Sequence, residues 1–347
     1  MTIVIIAGLL AIAFLATGRV TPQAAWHSID VDLLLVLFAL LIAVELLRES
    51  GWLDLAVEKT VARFHSARSF AAMMLAVTGI LAMLVTNDIA LFVAIPFTVA
   101  AGRMSGLKVD HLVVLEVIAA NLLGCLTPLG NPQNLFIYHR SHWSAGRFVL
   151  TMLPFVALAA IGLAVAVALF RNVPLTNTEA ELPPRNNRAA VAGTITFLLV
   201  LLEIARAVSA WPAAIAALLS ALLFLRRRVD LSVVLLFFFA FIVVDGLRTF
   251  SLRLLDTYWS SIALSQVISN VPAAVLLTPF AHGEWRELLY GVNAGGCGTI
   301  IASLANLLGW QIYVREAGRD PRFFFRLTWT NVAFLAWVGI GGRLLLR

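Results

Sequence analysis

Charge is scarce in this 347-residue chain: Asp, Glu, Lys and Arg together make up 13% of it, about half the share in a soluble domain. Cysteine is scarcer still, with Cys125 and Cys297 as the two thiols, so a disulfide scaffold is excluded. The sequence also has no HExxH helix, no G-x-S-x-G elbow and no glycine-rich phosphate loop ending in Lys, which disfavours a metalloprotease, an α/β-hydrolase and a P-loop enzyme. What fills the space is apolar: 61% of residues, with a mean hydropathy of +0.94. Runs such as Val31–Leu47, Phe148–Phe170 and Phe323–Leu346 approach or exceed the ~20 residues that cross ~30 Å of hydrocarbon. A soluble enzyme and a nucleic-acid binder are thereby excluded, and the fold class expected is an all-α polytopic membrane protein. Met1–Gly18 lacks a basic leading region, so it is read as a retained first helix.

The net charge of +6 then speaks of topology. Sixteen of the 25 basic residues fall in loops that one alternation of crossings places together: Arg48, Lys59, Arg63, Arg68, Arg103, Lys108, Arg171, Arg185, Arg188, Arg226–Arg228, Arg315, Arg319, Arg322 and Arg326. The positive-inside rule makes that side, and the N-terminus, cytoplasmic. In a bacterial cell this is the inner (plasma) membrane. Gly51–Ser69 mixes apolar and charged residues at helical spacing, as a helix lying on the cytoplasmic leaflet does.

The apolar runs are most informative where they fail. Asn121, Gly124, Cys125, Thr127 and Asn134 recur as Asn293, Gly296, Cys297, Thr299 and Asn306, all 172 residues later. Upstream, Thr86–Asn87 recurs as Ser269–Asn270 at an offset of 183. The polar stretch 171–188 is read as a cytoplasmic linker between two halves, 1–170 and 189–347. Each half is expected to hold a re-entrant helical hairpin (about 70–103 and 253–281) and a discontinuous transmembrane helix (about 111–138 and 286–314). With two crossings before the first hairpin and three between the linker and the second, the halves are inverted, an architecture common in secondary transporters.

Irregular backbone at membrane depth survives only where protein or water satisfies it. The prolines and glycine of TPLGNP (Thr127–Pro132) and the glycines 295, 296 and 298 therefore mark a cavity. Candidate substrate- and ion-binding residues are Thr86, Asn87, Asp88, Asn121, Gly124, Thr127, Gly130 and Asn131 in the first half, with Ser269, Asn270, Asn293, Gly296, Thr299 and Ser303 in the second. The plainer reading of any one is packing or an interhelical hydrogen bond; their repetition favours a site. Asp88 and Glu116 are candidate proton sites, because an intramembrane acid is costly unless it functions. Cys125 and Cys297 are a candidate soft-ligand pair for trivalent arsenic or antimony, beside the plainer reading of small core residues. Glu203 and Arg206, three apart, are expected to form a local ion pair. No metal centre or cofactor is expected, apart from Na+ or H+ as coupling ion, with Na+ placed at the hairpin tips.

VTNDIALFVAIPFTVA, NLLGCLTPLGNPQNLFIY, SQVISNVPAAVLL and GVNAGGCGTIIASLANLLGW, taken together, resemble the ion transporter superfamily, which includes arsenite permeases, NhaD-type sodium/proton antiporters and citrate or dicarboxylate transporters. The resemblance implies a homodimer, each protomer with a scaffold and a transport domain that moves as an elevator. It assigns the first ion site to Thr86, Asn87 and the 124–131 loop, and the second to Ser269, Asn270 and the 296–303 loop. The dicarboxylate branch carries Ser-Asn-Thr at each tip; Asp88 and Val271 stand in the third place here, and Asn-Asp is similar to the arsenite permease branch. The function expected is secondary transport of a small inorganic or organic anion, coupled to protons or sodium. Arsenite or antimonite export using Asp88, a channel, and a non-transporting assembly protein that kept the fold stay open beside it. The partners expected are the small-ion substrate, the lipid bilayer and a second copy of the chain, with no nucleic acid.

Overall fold

A computed structural model describes residues 2–52, 66–174, 185–204, 206–226, 229, 231–247, 256–281 and 283–347. Sixteen α-helices and no strand occur among the described residues. In chain order they are α1 (Thr2–Ala16), α2 (Pro22–Ser28), α3 (Val31–Glu49), α4 (Ala67–Val85), α5 (Asn87–Ser105), α6 (Asp110–Gly124), α7 (Pro132–Ser141), α8 (Ala145–Ala168), α9 (Asn187–Ile204), α10 (Ala210–Phe224), α11 (Ser232–Leu247), α12 (Thr257–Ile268), α13 (Asn270–Leu277), α14 (Trp285–Gly295), α15 (Leu304–Ala317) and α16 (Pro321–Leu345). The chain is an all-α polytopic membrane protein. α4, α8 and α16 are each long and apolar enough to cross a bilayer. Leu150, Ile161, Leu222, Leu223 and Trp329 lie exposed on the outside, where only lipid relieves the cost of apolar surface in water.

Two groups of helices pack side by side. α3, α9 and α10 form one layer, held close because Gly193 on α9 lets the backbone approach the Ala43 carbonyl; a Cβ there would stand 2.8 Å from that oxygen. α11 packs on α1 and joins this layer to α13. The other group surrounds α6, whose residues are buried without a gap from Leu112 to Leu122. A helix buried around its whole circumference has no lipid or water face, and it sits at the centre of its bundle. α4, α5, α8, α15 and α16 pack around it.

The surface helix expected over 51–69 falls largely on residues 53–65, outside those described. Of the linker, 175–184 are likewise outside. Its described ends are tied down: the Ala67 N–H donates to the Val173 carbonyl at 2.8 Å, and the Asn186 N–H to that of Ser50 at 3.0 Å.

Candidate functional site

Two hairpins turn in a single residue each. Between α4 and α5 stands Thr86 at φ 108°, ψ 151°; between α12 and α13 stands Ser269 at φ 74°, ψ 153°. Positive φ in a β-branched residue such as Thr86 is a backbone outlier. Such strain, of order 1–3 kcal/mol, persists only where the surroundings over-determine it and clusters at functional sites. Both residues are buried. The first hairpin is the longer, with two arms of 19 residues against 12 and 8 in the second.

Two helices are interrupted beside these turns. α6 ends at Gly124, a 3-10 turn spans Pro128–Gly130, and α7 begins at Pro132, the first helical position, where the missing N–H costs nothing. α14 ends at Gly295, and Ser303 caps α15 by accepting from the Ala305 N–H at 3.2 Å. Gly130 is required by space: a Cβ there would collide with the Gly124 carbonyl.

Buried amides link the four segments. Asn87 Nδ2 donates to Asn121 Oδ1 at 2.9 Å, and Asn121 Nδ2 donates to Asn306 Oδ1 at 2.9 Å. The counterpart bond has Asn293 Nδ2 donating to Asn134 Oδ1 at 2.7 Å. A second reciprocal pair has Asn131 Nδ2 donating to Asn293 Oδ1 at 3.0 Å and Ser303 Oγ donating to Asn121 Oδ1 at 2.9 Å. Residues 172 positions apart thus exchange equivalent bonds across the centre. Gln133 Nε2 also donates to Asn293 Oδ1, at 3.1 Å. On the second tip, the Asn270 N–H donates to the Ala302 carbonyl at 2.9 Å. Asn131 Oδ1, in contrast, is buried and accepts no hydrogen bond among the described residues.

Thr127 and Thr299 turn their hydroxyls to structural work. Thr127 Oγ1 donates to the Met83 carbonyl and accepts from the Gly130 N–H, while Thr299 Oγ1 donates to the Gln266 carbonyl at 3.1 Å. Each ties a helix break to the first arm of its neighbouring hairpin. Gly124 approaches Ala82 on α4, and Gly296 lies against the Asn270 amide. Asp88 is buried next to the first tip, its N–H donating to Asn87 Oδ1 at 2.9 Å. Glu116 lies away from the amides and accepts from Thr98 Oγ1 of α5 at 2.6 Å. Cys125 and Cys297 are buried free thiols, the Cys125 Sγ–H donating to the Leu122 carbonyl at 2.9 Å.

The expected Glu203–Arg206 ion pair does not form among the described residues. α9 ends at Ile204, and Arg206 at φ 58° leaves the helix, so the i, i+3 spacing no longer puts the two on one face. Arg206 instead donates to the His142 carbonyl at 3.2 Å and stacks over Tyr138, and Glu203 Oε1 faces His139 Nε2 at 3.6 Å.

With this geometry in view, known proteins give a consistent answer. A family model described as a citrate transporter matches residues 1–284. The chain belongs to the citrate transporter family. It is 32% identical to an uncharacterised transporter of Methanocaldococcus jannaschii over 86% of this chain and 85% of that one. It is 30% identical to the inner membrane protein YbiR of Escherichia coli, over 94% and 90%. A silicon efflux transporter of Oryza sativa is 28% identical over 42% of this chain and 30% of its own. Membership of the citrate transporter family makes the chain a membrane transporter.

In this member of the citrate transporter family, sequence reasoning passes over several residues of the centre. Asn134 and Asn306 enter it only as markers of the repeat, yet each also donates back to its own loop, Asn134 to the Cys125 carbonyl at 3.1 Å and Asn306 to that of Gly296 at 3.0 Å. Gln133 does not stand out at all. Nor does Gln266, whose Nε2 holds the Gly295 and Cys297 carbonyls at 2.9 and 3.0 Å and whose Oε1 accepts from the Thr299 N–H at 2.9 Å. The available signal is an amide inside an apolar run three residues before a Ser-Asn tip.

Proposed function

We propose that the protein is a secondary active transporter of a small ion, an inorganic or organic anion, coupled to a proton or sodium gradient. It consists of two inverted repeats around one central site and works by elevator-type alternating access, the bundle around α6 moving against the layer of α3, α9 and α10. The observation that carries this reading is the reciprocal amide network between two strained hairpin tips and two helix breaks. α5, α7, α13 and α15 all begin in or beside that network, so four helix N-termini supply partial positive charge toward an anion without a fixed cation. Asn131 Oδ1 offers an acceptor for a substrate hydroxyl or a ligand for sodium, whose preference is for oxygen.

The working unit is a homodimer in the bacterial plasma membrane with its N-terminus in the cytoplasm. The orientation is supported by clustering of basic residues: the Arg326–Asp110 ion pair and the bond from Arg103 to the Glu316 carbonyl gather the ends of α5, α6, α15 and α16 at one face. The test is counterflow of citrate, succinate, sulfate, phosphate or arsenite in proteoliposomes, with and without sodium. Asn87→Ala and Asn270→Ala should abolish exchange while eluting as the wild type does; full activity in both would overturn the site.

A second reading, arsenite or antimonite export coupled through Asp88, is favoured by the two thiols buried at equivalent breaks. The silicon efflux relative adds that a similar chain is named for a silicon substrate. Thermal stabilisation by arsenite that disappears in the Cys125→Ser/Cys297→Ser double variant would select it.

A further inference from the structure

Glu116 is the one acid of the α6 interior, and the amide network does not use it. It lies six residues, about 9 Å of helix rise, beyond Asp110, which pairs with Arg326. Its neighbours in sequence, Leu112–Leu115 and Val117–Ala120, are all buried. On the far side, α15 closes in so tightly that a Cβ on Gly309 would collide with Val117. Oε1 accepts from the buried Thr98 hydroxyl at 2.6 Å, and Oε2 has no partner among the described residues.

Several charged side chains on the helices packed around α6 are engaged elsewhere, Arg343 of α16 with Asp256 and Glu287 among them, and Asp88 of α5 lies buried at the first hairpin tip beside Asn87. Arg68 of α4 and Arg103 of α5 donate to the Phe170 and Glu316 carbonyls. Arg147 of α8 stacks on Trp143. Arg315 of α15 pairs with Glu316, and Arg326 of α16 with Asp110. Among the described residues Thr98 is the one hydrogen-bond partner of the Glu116 carboxylate.

We infer that Glu116 is the proton-carrying group of this transporter, loading one proton from one side of the membrane onto its carboxylate and releasing that proton to the other side in each cycle. This rests on the transport reading above. An acceptor-only carboxylate with one donor and an empty second oxygen is poorly accommodated among apolar side chains; adding a proton removes the charge and supplies the missing donor. Ionisation requires water, and α5 and α15, which flank the site, both reach the amide network, through Asn87 at the start of α5 and through Asn306 of α15. A rearrangement of the network on substrate binding therefore acts on the two elements that seal Glu116.

Infrared difference spectra of the full-length protein in proteoliposomes, alkaline against acid, test the proton directly. The wild type should show the C=O band of a buried protonated carboxyl; Glu116→Gln should lose it, and Thr98→Val should move its titration midpoint. Counterflow and pH-gradient-driven uptake of labelled citrate give the transport arm: Glu116→Gln should keep sodium-independent exchange and lose stimulation by the gradient. A band that persists unchanged in Glu116→Gln, or gradient stimulation equal to wild type, overturns the inference. If the wild type moves no citrate, the substrate reading fails and the infrared band alone decides on Glu116. Should Glu116→Gln not assemble, an unmoved band in Thr98→Val overturns the inference.

Discussion

Asn293 of the second half donates its side-chain amide to Asn134 of the first at 2.7 Å, and Asn121 of the first half does the same to Asn306 of the second at 2.9 Å. Neither pair is charged, and all four residues are buried. Neither Coulombic attraction nor solvent therefore accounts for these bonds; they hold because every alternative leaves an amide unsatisfied in an apolar interior.

Asn134→Ala and Asn293→Ala should each lower thermal stability by the equivalent of about 1–3 kcal/mol, the cost of orphaning a buried amide. The double variant should lose less than the sum, because the two share one bond. Melting curves in detergent for the four proteins of this cycle measure the coupling, and simple additivity would show that the residues do not interact.

At the hairpin tips the strain itself is testable. Thr86→Gly should be more stable than Thr86→Ala by about 1 kcal/mol, since glycine adopts φ 108° without a Cβ clash. The same order should hold for Ser269. Equal stability of the Gly and Ala variants would argue against the left-handed turn.

Gly130→Ala is predicted to be among the most damaging single-methyl additions in the chain, costing about 1–3 kcal/mol or more by overpacking against the Gly124 carbonyl. Gly146, where an added methyl would meet nothing within 4 Å, is the control, and Gly146→Ala should melt as the wild type does. Fluorescence-detected size exclusion after heating compares the two.

Gln266→Leu should loosen the second break more than the hairpin that carries it. Three polar partners on residues 295–299 lose their tie at once. Limited proteolysis or hydrogen exchange should report faster opening around 295–303 than around 124–131. Uniform protection in both loops would contradict this.

Much of this architecture is legible from residue types. Apolar run length and the shortage of charge identify a membrane protein, and prolines and glycines coincide with the interruptions observed at 125–131 and 296–303. Less legible is the division of labour within the centre. Thr127 and Thr299 look like ligands in sequence, yet each hydroxyl has a backbone carbonyl to serve, and that partner lies 44 or 33 residues away. Gln266 escapes notice for the complementary reason: a lone amide in an apolar stretch has no pattern until the distant loop it holds is placed beside it. The Glu203–Arg206 spacing misleads because it assumes a helix that has already ended at Ile204.

The reciprocal amide pairs also bear on how the protein is made. Asn293 lies 159 residues after Asn134, so at about 5–20 residues per second of synthesis the first half waits roughly 8–30 s for its partner. During that interval Asn134 Oδ1 and Asn121 Nδ2 sit in a nascent helical bundle without the groups that complete them. Biogenesis should thus have a vulnerable window that closes only when α14 and α15 arrive. Truncation after α11 should leave a membrane-inserted but protease-sensitive chain, and co-expression of the missing segment should rescue it.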